Sequence, residues 1–319
     1  ATSFLYQLKT VVQRNNIALW RSPDYIFTRF FVCIFISLFI SLSFLQLGNS
    51  ARELQFRVFS IFWVTVLPVV VMNQIEPMFI MNRRIFVREA SSRIYSPYVF
   101  AIGQLLGEIP YSIVCGIIYW VLMVYPQGFG QGTVGLNGTG FQLLVIIFVT
   151  LFGVSLGQFV AAISPNVQTA VLFNPFISLV LTQFCGVTIP YPTMISFWRS
   201  WLYQLDPFTR TMAAMVSTEL HGLEITCKAD EFAVFNPPDG QSCGQWADAF
   251  VQAYGGYIDN PDATDACQYC QYKVGDEFFV PLNISYDNRW RDAWIVFAYV
   301  VFNALITIVA SRFLRYAKR

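Results

Sequence analysis

A long stretch without charge constrains this chain more than any other feature. From Ile109 to Trp198 the sequence contains no Asp, Glu, Lys or Arg. A water-soluble domain carries about 25% charged residues and spreads them over its surface, whereas here only 12% are charged and 55% are hydrophobic. Water cannot surround most of such a chain. The sequence therefore predicts an all-α polytopic membrane protein.

Six segments are apolar over the roughly 20 residues that a helix needs to cross a bilayer. The predicted spans are 25–47, 58–80, 97–125, 141–163, 167–189 and 293–310. We expect the second span to be broken near its end, at Glu76-Pro77, because proline interrupts helical hydrogen bonding. The predicted organisation is 24–190 for spans one to five, 191–291 for an extracellular region, and 292–319 for the sixth span and a cytoplasmic tail.

Basic residues in short loops mark the cytoplasmic side of a membrane protein. They cluster before the first span, after the second span and after the sixth, as Lys9, Arg14, Arg21, Arg83, Arg84, Arg88, Arg93, Arg312, Arg315, Lys318 and Arg319. Two N-glycosylation sequons, at Asn137 and Asn283, fall on the opposite predicted side. We therefore expect an integral membrane protein with both termini in the cytoplasm.

The N-terminal segment has neither the apolar core nor the cleavage site of a signal peptide. The first span would then serve as the targeting signal, or upstream sequence is missing. Residues 3–20 instead place apolar side chains on one side at helical spacing and polar ones on another, which predicts an amphipathic helix. Two interpretations stay open: the helix lies in the inner membrane interface, or it packs against protein.

The seven cysteines divide by predicted location. Cys33, Cys115 and Cys185 lie in spans, where a free thiol behaves as a small apolar group. The other four lie in the extracellular region, where disulfides form, and sequence alone leaves three pairings open: Cys227, Cys243, Cys267 and Cys270. We expect two disulfides and no metal site, because the Cys267/Cys270 pair has no second close pair beside it. His221 is interpreted as a surface side chain.

Motifs for chemistry are missing from the sequence. It contains no phosphate-binding loop, no zinc-protease motif and no nucleophile elbow. We therefore expect no catalytic residues and no cofactor in this chain, and a net charge of +1 makes nucleic acid an unsuitable partner. Glu76 and Glu108 are the two carboxylates in predicted spans; they act either in a proton relay or, as we expect, as structural groups paired near the inner interface.

The segment from Arg83 to Tyr95 predicts a short cytoplasmic helix with an ion pair between Glu89 and Arg93. Such a helix either docks a partner domain or is a solvated loop. The residues alone leave both interpretations open.

Several motifs, each loose alone, resemble one known family in their order and spacing. They are Trp20–Tyr25, Phe86–Glu89, Tyr95–Tyr98, Gly107–Pro110, Asp206–Arg210 and the cysteine-rich loop before the last span. Together they resemble, over essentially the whole chain, the second (C-terminal) membrane half of fungal pleiotropic drug resistance transporters, in the G subfamily of ABC transporters. The resemblance implies that 1–319 is an ABC-2 type membrane domain and that 1–23 is its amphipathic connecting helix.

The resemblance implies an ATP-driven exporter, an ATP-hydrolysing translocase when complete. Two six-helix membrane halves would pair, and two nucleotide-binding domains, absent from this chain, would bind ATP and Mg²⁺. The Arg83–Tyr95 segment would rest on such a domain as a coupling helix, with Arg84, Arg88, Glu89 and Arg93 as the coupling residues. Membrane lipid and hydrophobic small molecules are the other expected partners.

In that family the second and fifth spans line a central slit. The matching candidates for substrate binding are Val66, Val69, Asn73, Phe176, Leu179, Thr182 and Gln183, and Val187 and Thr188 are candidates for an outer gate. Asn73 and Thr182 are either sparse polar groups in a permissive pocket or hydrogen-bonding groups between packed helices.

Three functions remain in view. The leading hypothesis is the membrane half of an exporter for multidrug efflux of hydrophobic compounds. The second is an ABC-type exporter of a lipid, a sterol or another narrow substrate. The third is a membrane anchor for an extracellular disulfide-bonded domain, for which six spans with a basic inner loop are excessive.

Overall fold

The computed structural model describes residues 3–133 and 135–314. Its helices are α1 (Phe4–Trp20), α2 (Pro23–Ser43), α3 (Ala51–Phe62), α4 (Val66–Ser91), α5 (Pro97–Gln127), α6 (Gly135–Ile163), α7 (Val167–Phe184), α8 (Ser196–Ser200), α9 (Leu202–Leu205), α10 (Pro207–Leu220), α11 (Cys243–Tyr254), α12 (Gly275–Phe279) and α13 (Arg289–Phe313). Six segments of this described part are long and apolar enough to cross a membrane, which confirms the predicted all-α polytopic fold. The predicted tail residues Arg315, Lys318 and Arg319 lie outside the described residues.

The second span is interrupted at a different place from the one predicted. A 3₁₀ turn at Trp63–Thr65 separates α3 from α4, and α4 then continues unbroken through Pro77. The turn has a local cause, because Pro68 lacks an N–H and its ring collides with the carbonyl four residues earlier, that of Val64. The prediction of a break at Glu76-Pro77 is wrong: buried residues on both sides of Pro77 keep α4 packed along its length.

Two further boundaries differ from the sequence prediction. The fifth span, α7, ends at Phe184 rather than 189, and Gly186 follows with a left-handed φ of 90°. The predicted separate helix after the second span is instead the end of α4, which runs on to Ser91. Arg93 then adopts a φ of 54°, which removes it from the helix.

The centre of the bundle is α6, which packs tightly against α4. A Cβ atom on Gly153 would lie 2.6 Å from the Cα of Pro68, and one on Gly157 would lie 3.1 Å from the Cα of Met72. Small residues spaced by four allow two helix backbones to approach this closely within a membrane. The glycine pair therefore fixes the position of α4 against α6.

The amphipathic helix α1 is confirmed, and it packs against α5. Val11 and Leu19 are buried, and α1 comes close to the backbone of α5 at Gly103 and Gly107. The interpretation as a helix packed on protein therefore holds for one face. Leu5 remains 75% exposed, so the rest of the apolar surface has no cover within the described chain.

Residues 191–291 do not form one polar region, contrary to the sequence interpretation. Helix α10 is buried along its length and packs against α6 and α13, because its small and apolar side chains fill the space between them. After it come α11, α12 and a three-stranded antiparallel sheet of order β1-β3-β2, made of β1 (Ala233–Phe235), β2 (Tyr257–Ile258) and β3 (Cys267–Cys270).

Two disulfides hold this last part together, as predicted. They join Cys227 to Cys270 and Cys243 to Cys267, a pairing that the sequence left open. We call the end of the bundle that carries them the disulfide end. Cys33, Cys115 and Cys185 are buried free thiols.

Candidate functional site

One side of α7 is open. Four apolar residues on it are largely exposed, and we call them the α7 face: Leu172 (78%), Phe173 (53%), Phe176 (66%) and Leu179 (58%). The predicted residues Phe176 and Leu179 thus lie together on an uncovered surface. Such a surface fits lipid, a second membrane half or a hydrophobic ligand.

The polar residues between α4 and α7 form a small cluster. The amide nitrogen of Asn174 donates to Asn73 Oδ1 at 2.8 Å and to Glu76 Oε2 at 2.9 Å. We call Asn73, Glu76 and Asn174 the polar trio. Glu76 is fully buried, and its Oε1 has no hydrogen-bond partner among the residues that the structure describes. A buried acceptor without a donor is costly, and the Oδ1 of Asn174 is also buried without a donor among the described residues.

The trio bears on two interpretations of the sequence: the partner of Glu76 and the role of Asn73. Glu76 was expected to pair with an arginine at the inner interface, but its described partner is Asn174, because Arg83 reaches away to the carbonyls of Ala161 and Pro165. Asn73 is both exposed and bonded to α7, so its helix-packing role is real. Asn174 was not singled out as a polar contact between the spans, although it is the one asparagine within the apolar α7.

The other predicted slit residues lie on the same two helices, outside the trio. Val66 and Val69 are half-buried on α4, and Thr182 and Gln183 are half-buried near the end of α7. The hydroxyl of Thr182 donates to the carbonyl of Ser178 at 2.7 Å within its own helix. Among the residues that the structure describes, the Thr182 side chain therefore makes no hydrogen bond to another helix.

Glu108 is a contrasting carboxylate in the third span. Arg29 donates to its Oε2 at 2.8 Å and the hydroxyl of Tyr25 donates to its Oε1 at 2.8 Å. Arg29 also donates to Ser112 at 3.0 Å. The expected structural pairing with an arginine is thus confirmed for Glu108, at a fully enclosed position.

The gate candidates lie beyond the end of α7, beside a cavity of about 510 Å³. Val187 lines this cavity, together with Tyr203, Met212, Phe278 and Leu282. Thr188 is exposed, and its hydroxyl donates to the carbonyl of Thr182 at 3.3 Å. Both residues sit on a non-helical segment, which can change shape at lower cost than a helix.

At the opposite end, the predicted coupling residues are accessible. Arg84, Arg88 and Arg93 are exposed. Glu89 does not pair with Arg93 as predicted, because Arg93 has left the helix. Its carboxylate instead accepts from Arg14 of α1 at 2.6 Å and from the hydroxyl of Tyr95 at 2.6 Å.

The remaining predictions concern the sequon residues, His221 and metal binding. Asn137 and Asn283, the sequon residues, are exposed. His221 is only partly exposed: it stacks on Tyr286 and hydrogen-bonds Asp276 at 2.7 Å. No group of three or more His, Cys, Asp or Glu residues in the described ranges is placed to hold a metal ion.

Comparison with known proteins identifies the family. The family model described as ABC-2 type transporter matches residues 6–220. The chain belongs to the ABC-2 type transporter family. It is 42% identical over 98% of its length to the ABC multidrug transporter I of Aspergillus fumigatus, of which it covers 21%. It is 34% identical over 95% to the brefeldin A resistance protein of Schizosaccharomyces pombe and 31% identical over 97% to the ATP-dependent permease PDR12 of Saccharomyces cerevisiae.

The chain covers about one fifth of each of these relatives. It is therefore an ABC-2 membrane domain similar to part of fungal multidrug transporters. This finding confirms the family resemblance that the motifs carried and the integral membrane character of the chain.

Proposed function

We propose that this domain is one membrane half of an ATP-driven exporter of hydrophobic compounds. The observation that carries the proposal is the α7 face beside the polar trio. Large apolar side chains stand uncovered next to the exposed Asn73, while Glu76 and Asn174 are buried. Apolar walls with a few polar groups are the composition of a permissive ligand site. The names of the relatives, which speak of multidrug transport and drug resistance, support the same conclusion.

The partner of the α7 face is a second six-helix half. Two such faces would enclose a slit lined by Asn73, Phe176 and Leu179, with Val187 and Thr188 toward its outer end. In the proposed orientation the disulfide end lies outside the cell, in the plasma membrane, and both termini are cytoplasmic. The positive-inside rule and the exposed sequon residues support this orientation.

Energy would enter at the opposite end. Nucleotide-binding domains with ATP and Mg²⁺ would dock on the exposed arginines Arg84, Arg88 and Arg93. The pair between Glu89 and Arg14 links α4 to α1 at this point, 2.6 Å between charged atoms. A movement of α4 caused by docking would also move Glu76 of the trio, because Glu76 and Glu89 lie on the same continuous helix.

A dye-efflux assay tests the proposal. The full-length transporter would be expressed in yeast cells that lack their own efflux pumps, and retention of a hydrophobic fluorescent dye measured with and without ATP depletion. We expect energy-dependent loss of dye. Glu89→Arg should abolish this loss while surface expression stays normal, because it replaces the Arg14 ion pair by a repulsion.

The matched control is Glu224→Arg, the same charge reversal at an exposed position near the disulfide end. It should leave efflux unchanged. If Glu89→Arg transports as well as wild type, the coupling assignment is wrong. If the wild-type protein reaches the plasma membrane but retains dye like empty cells, a narrow substrate such as a lipid or sterol replaces multidrug export.

A further inference from the structure

A second crevice, of about 460 Å³, lies away from the α7 face, between α1, α4 and α5. We call it the α1 crevice and define it by Arg14, Asn15, Met78, Met81, Phe100 and Gln104. It opens at the end of the bundle opposite the disulfides. Neither the gate nor the polar trio contributes to its walls.

The crevice contains a buried donor without an acceptor. Asn15 is only 8% exposed, and its side-chain Nδ2 has no hydrogen-bond partner among the described residues. Asparagine is also unusual on the buried face of α1, which otherwise presents Val11 and Leu19. Leaving an amide N–H unsatisfied costs free energy. A turn of the Asn15 side chain toward the crevice that it lines would let an oxygen atom bound there remove that cost.

The walls around Asn15 are amphipathic. Met78, Met81 and Phe100 supply apolar surface on one side, and methionine adapts well to irregular flexible ligands. Arg14 stands at the polar side and carries five N–H donors. Its described contacts to Glu89 and Tyr95 engage one terminal nitrogen each. The site therefore suits a molecule with an oxygen-rich head and an apolar tail.

The depth of the crevice points to the source of such a molecule. Trp20, 73% exposed, lies just beyond it on α1, and tryptophan favours the membrane–water interface. On α4 the crevice spans Met78 to Glu89, where the helix changes from apolar residues to the arginines Arg83 and Arg84. Met81 and Ile85, each 54% exposed, lead from the crevice to the outer surface of the bundle.

We propose that the α1 crevice binds a glycerophospholipid from the adjacent leaflet. An ester or phosphate oxygen accepts from Asn15 Nδ2 and from Arg14, and an acyl chain leaves along Met78 and Met81. In the orientation proposed above this is the cytoplasmic leaflet. The lipid would bridge α1 to α4 and α5 beside the Arg14–Glu89 pair. The binding site does not depend on what the complete protein transports.

Photolabelling tests this proposal directly. The full-length transporter would be placed in nanodiscs of phosphatidylcholine that contain a trace of phosphatidylcholine with a diazirine near the glycerol. Mass spectrometry of peptides then locates the covalent adducts. We expect adducts on the segments around Asn15 and Met78–Asn82. Asn15→Leu, which removes the donor at similar volume, should reduce them about fivefold or more.

A second variant keeps the test independent of folding. Met81→Trp fills the crevice from a half-exposed position and should also reduce the adducts. The matched control is Leu38→Trp, 40% exposed on α2, which should not change them. Equal labelling in wild type, Asn15→Leu and Met81→Trp would mean ordinary surrounding lipid and would overturn the proposal.

Two competitors distinguish the possible ligands. Excess inorganic phosphate should leave labelling unchanged, because it lacks the apolar tail that the methionines contact. Excess sterol should also fail, because it carries a single hydroxyl in place of the ester and phosphate oxygens. If either one displaces the probe, the site belongs to a free anion or a sterol and the phospholipid assignment is wrong.

Discussion

Two neighbouring spans, α6 and α7, differ sharply in how the chain covers them. In the most apolar 18 residues of each span, 78% are buried for α6 and 11% for α7. Helix α6 is pressed against α4 through Gly153 and Gly157, and Asn303 of α13 donates to its Ser155 at 3.3 Å. Helix α7 presents bulky apolar residues outward instead. Helix α6 is thus the packed centre of the domain, and α7 leaves one face uncovered by the described chain.

Buried carboxylates show the same contrast. Glu219, beside α6, accepts from Arg57 at 2.5 Å, from Gln142 at 3.0 Å and from the N–H of Gly130. Glu76, beside α7, accepts from Asn174 and keeps one oxygen without a described donor. A buried carboxylate with donors on both oxygens fixes a structure, whereas one with an oxygen lacking a donor is less completely stabilised. The two buried carboxyl groups therefore differ in how completely the chain satisfies them.

The largest effect that we expect is on the α6 side. Arg57→Met leaves the Glu219 carboxylate buried without its cation and should lower the free energy of unfolding by about 3–5 kcal/mol. The measurement is denaturant-induced unfolding of the purified protein in detergent. Arg52→Met is the control on the same helix, because its pair with Asp230 is exposed and worth about 0–1 kcal/mol. If both variants lost a similarly small free energy of unfolding, the buried pair of Arg57 and Glu219 would not contribute to stability as expected.

Overpacking the helix contact should have the next largest effect. Gly153→Ala places a methyl group against the Pro68 backbone and should cost about 1–3 kcal/mol. The same unfolding measurement applies. Gly140→Ala, on the same helix with open space around it, should be neutral or slightly stabilising because alanine favours helix. If the two variants unfold alike, α4 and α6 are not held by close backbone approach.

A smaller change is expected beside α7. Glu76→Gln keeps an acceptor for Asn174 and removes the charge, so stability should change by about 1 kcal/mol or less. Unfolding of this variant, measured beside Arg57→Met, sharpens the comparison. A loss as large as that of Arg57→Met would make Glu76 a structural carboxylate like Glu219. The difference between the two sides would then disappear.

Much of the fold could be predicted because apolar length sets where helices cross. The third, fourth and sixth spans were predicted correctly. The structure lengthens four of their six predicted ends, by two to six residues. The break before α4 was missed because Pro68 lies within a run that reads as continuous span. The contacts of Glu89 with Arg14 and of Asn174 with Glu76 were missed for a different reason: they join residues 75 and 98 positions apart, which spacing along one helix cannot reveal.

Of the residues on the α7 face, the family resemblance predicted Phe176 and Leu179. Spacing places Leu179 and Thr182 on one side of α7, but only packing shows that Leu179 is exposed while the Thr182 hydroxyl is occupied within its helix. The glycine pair at Gly153 and Gly157 was readable as a small-residue motif.

In the proposed function, the α7 face contacts transported compounds. The most direct measurement is the affinity of a hydrophobic fluorescent dye for the full-length transporter in nanodiscs, comparing Phe176→Ala with Phe31→Ala. Both side chains are exposed in this chain, 66% and 55%, so neither truncation disturbs the core. Burying a phenylalanine ring against a ligand contributes about 1.5–3 kcal/mol. We expect Phe176→Ala to weaken dye binding about tenfold or more and Phe31→Ala to leave it unchanged; equal affinities for both variants and wild type would contradict the account.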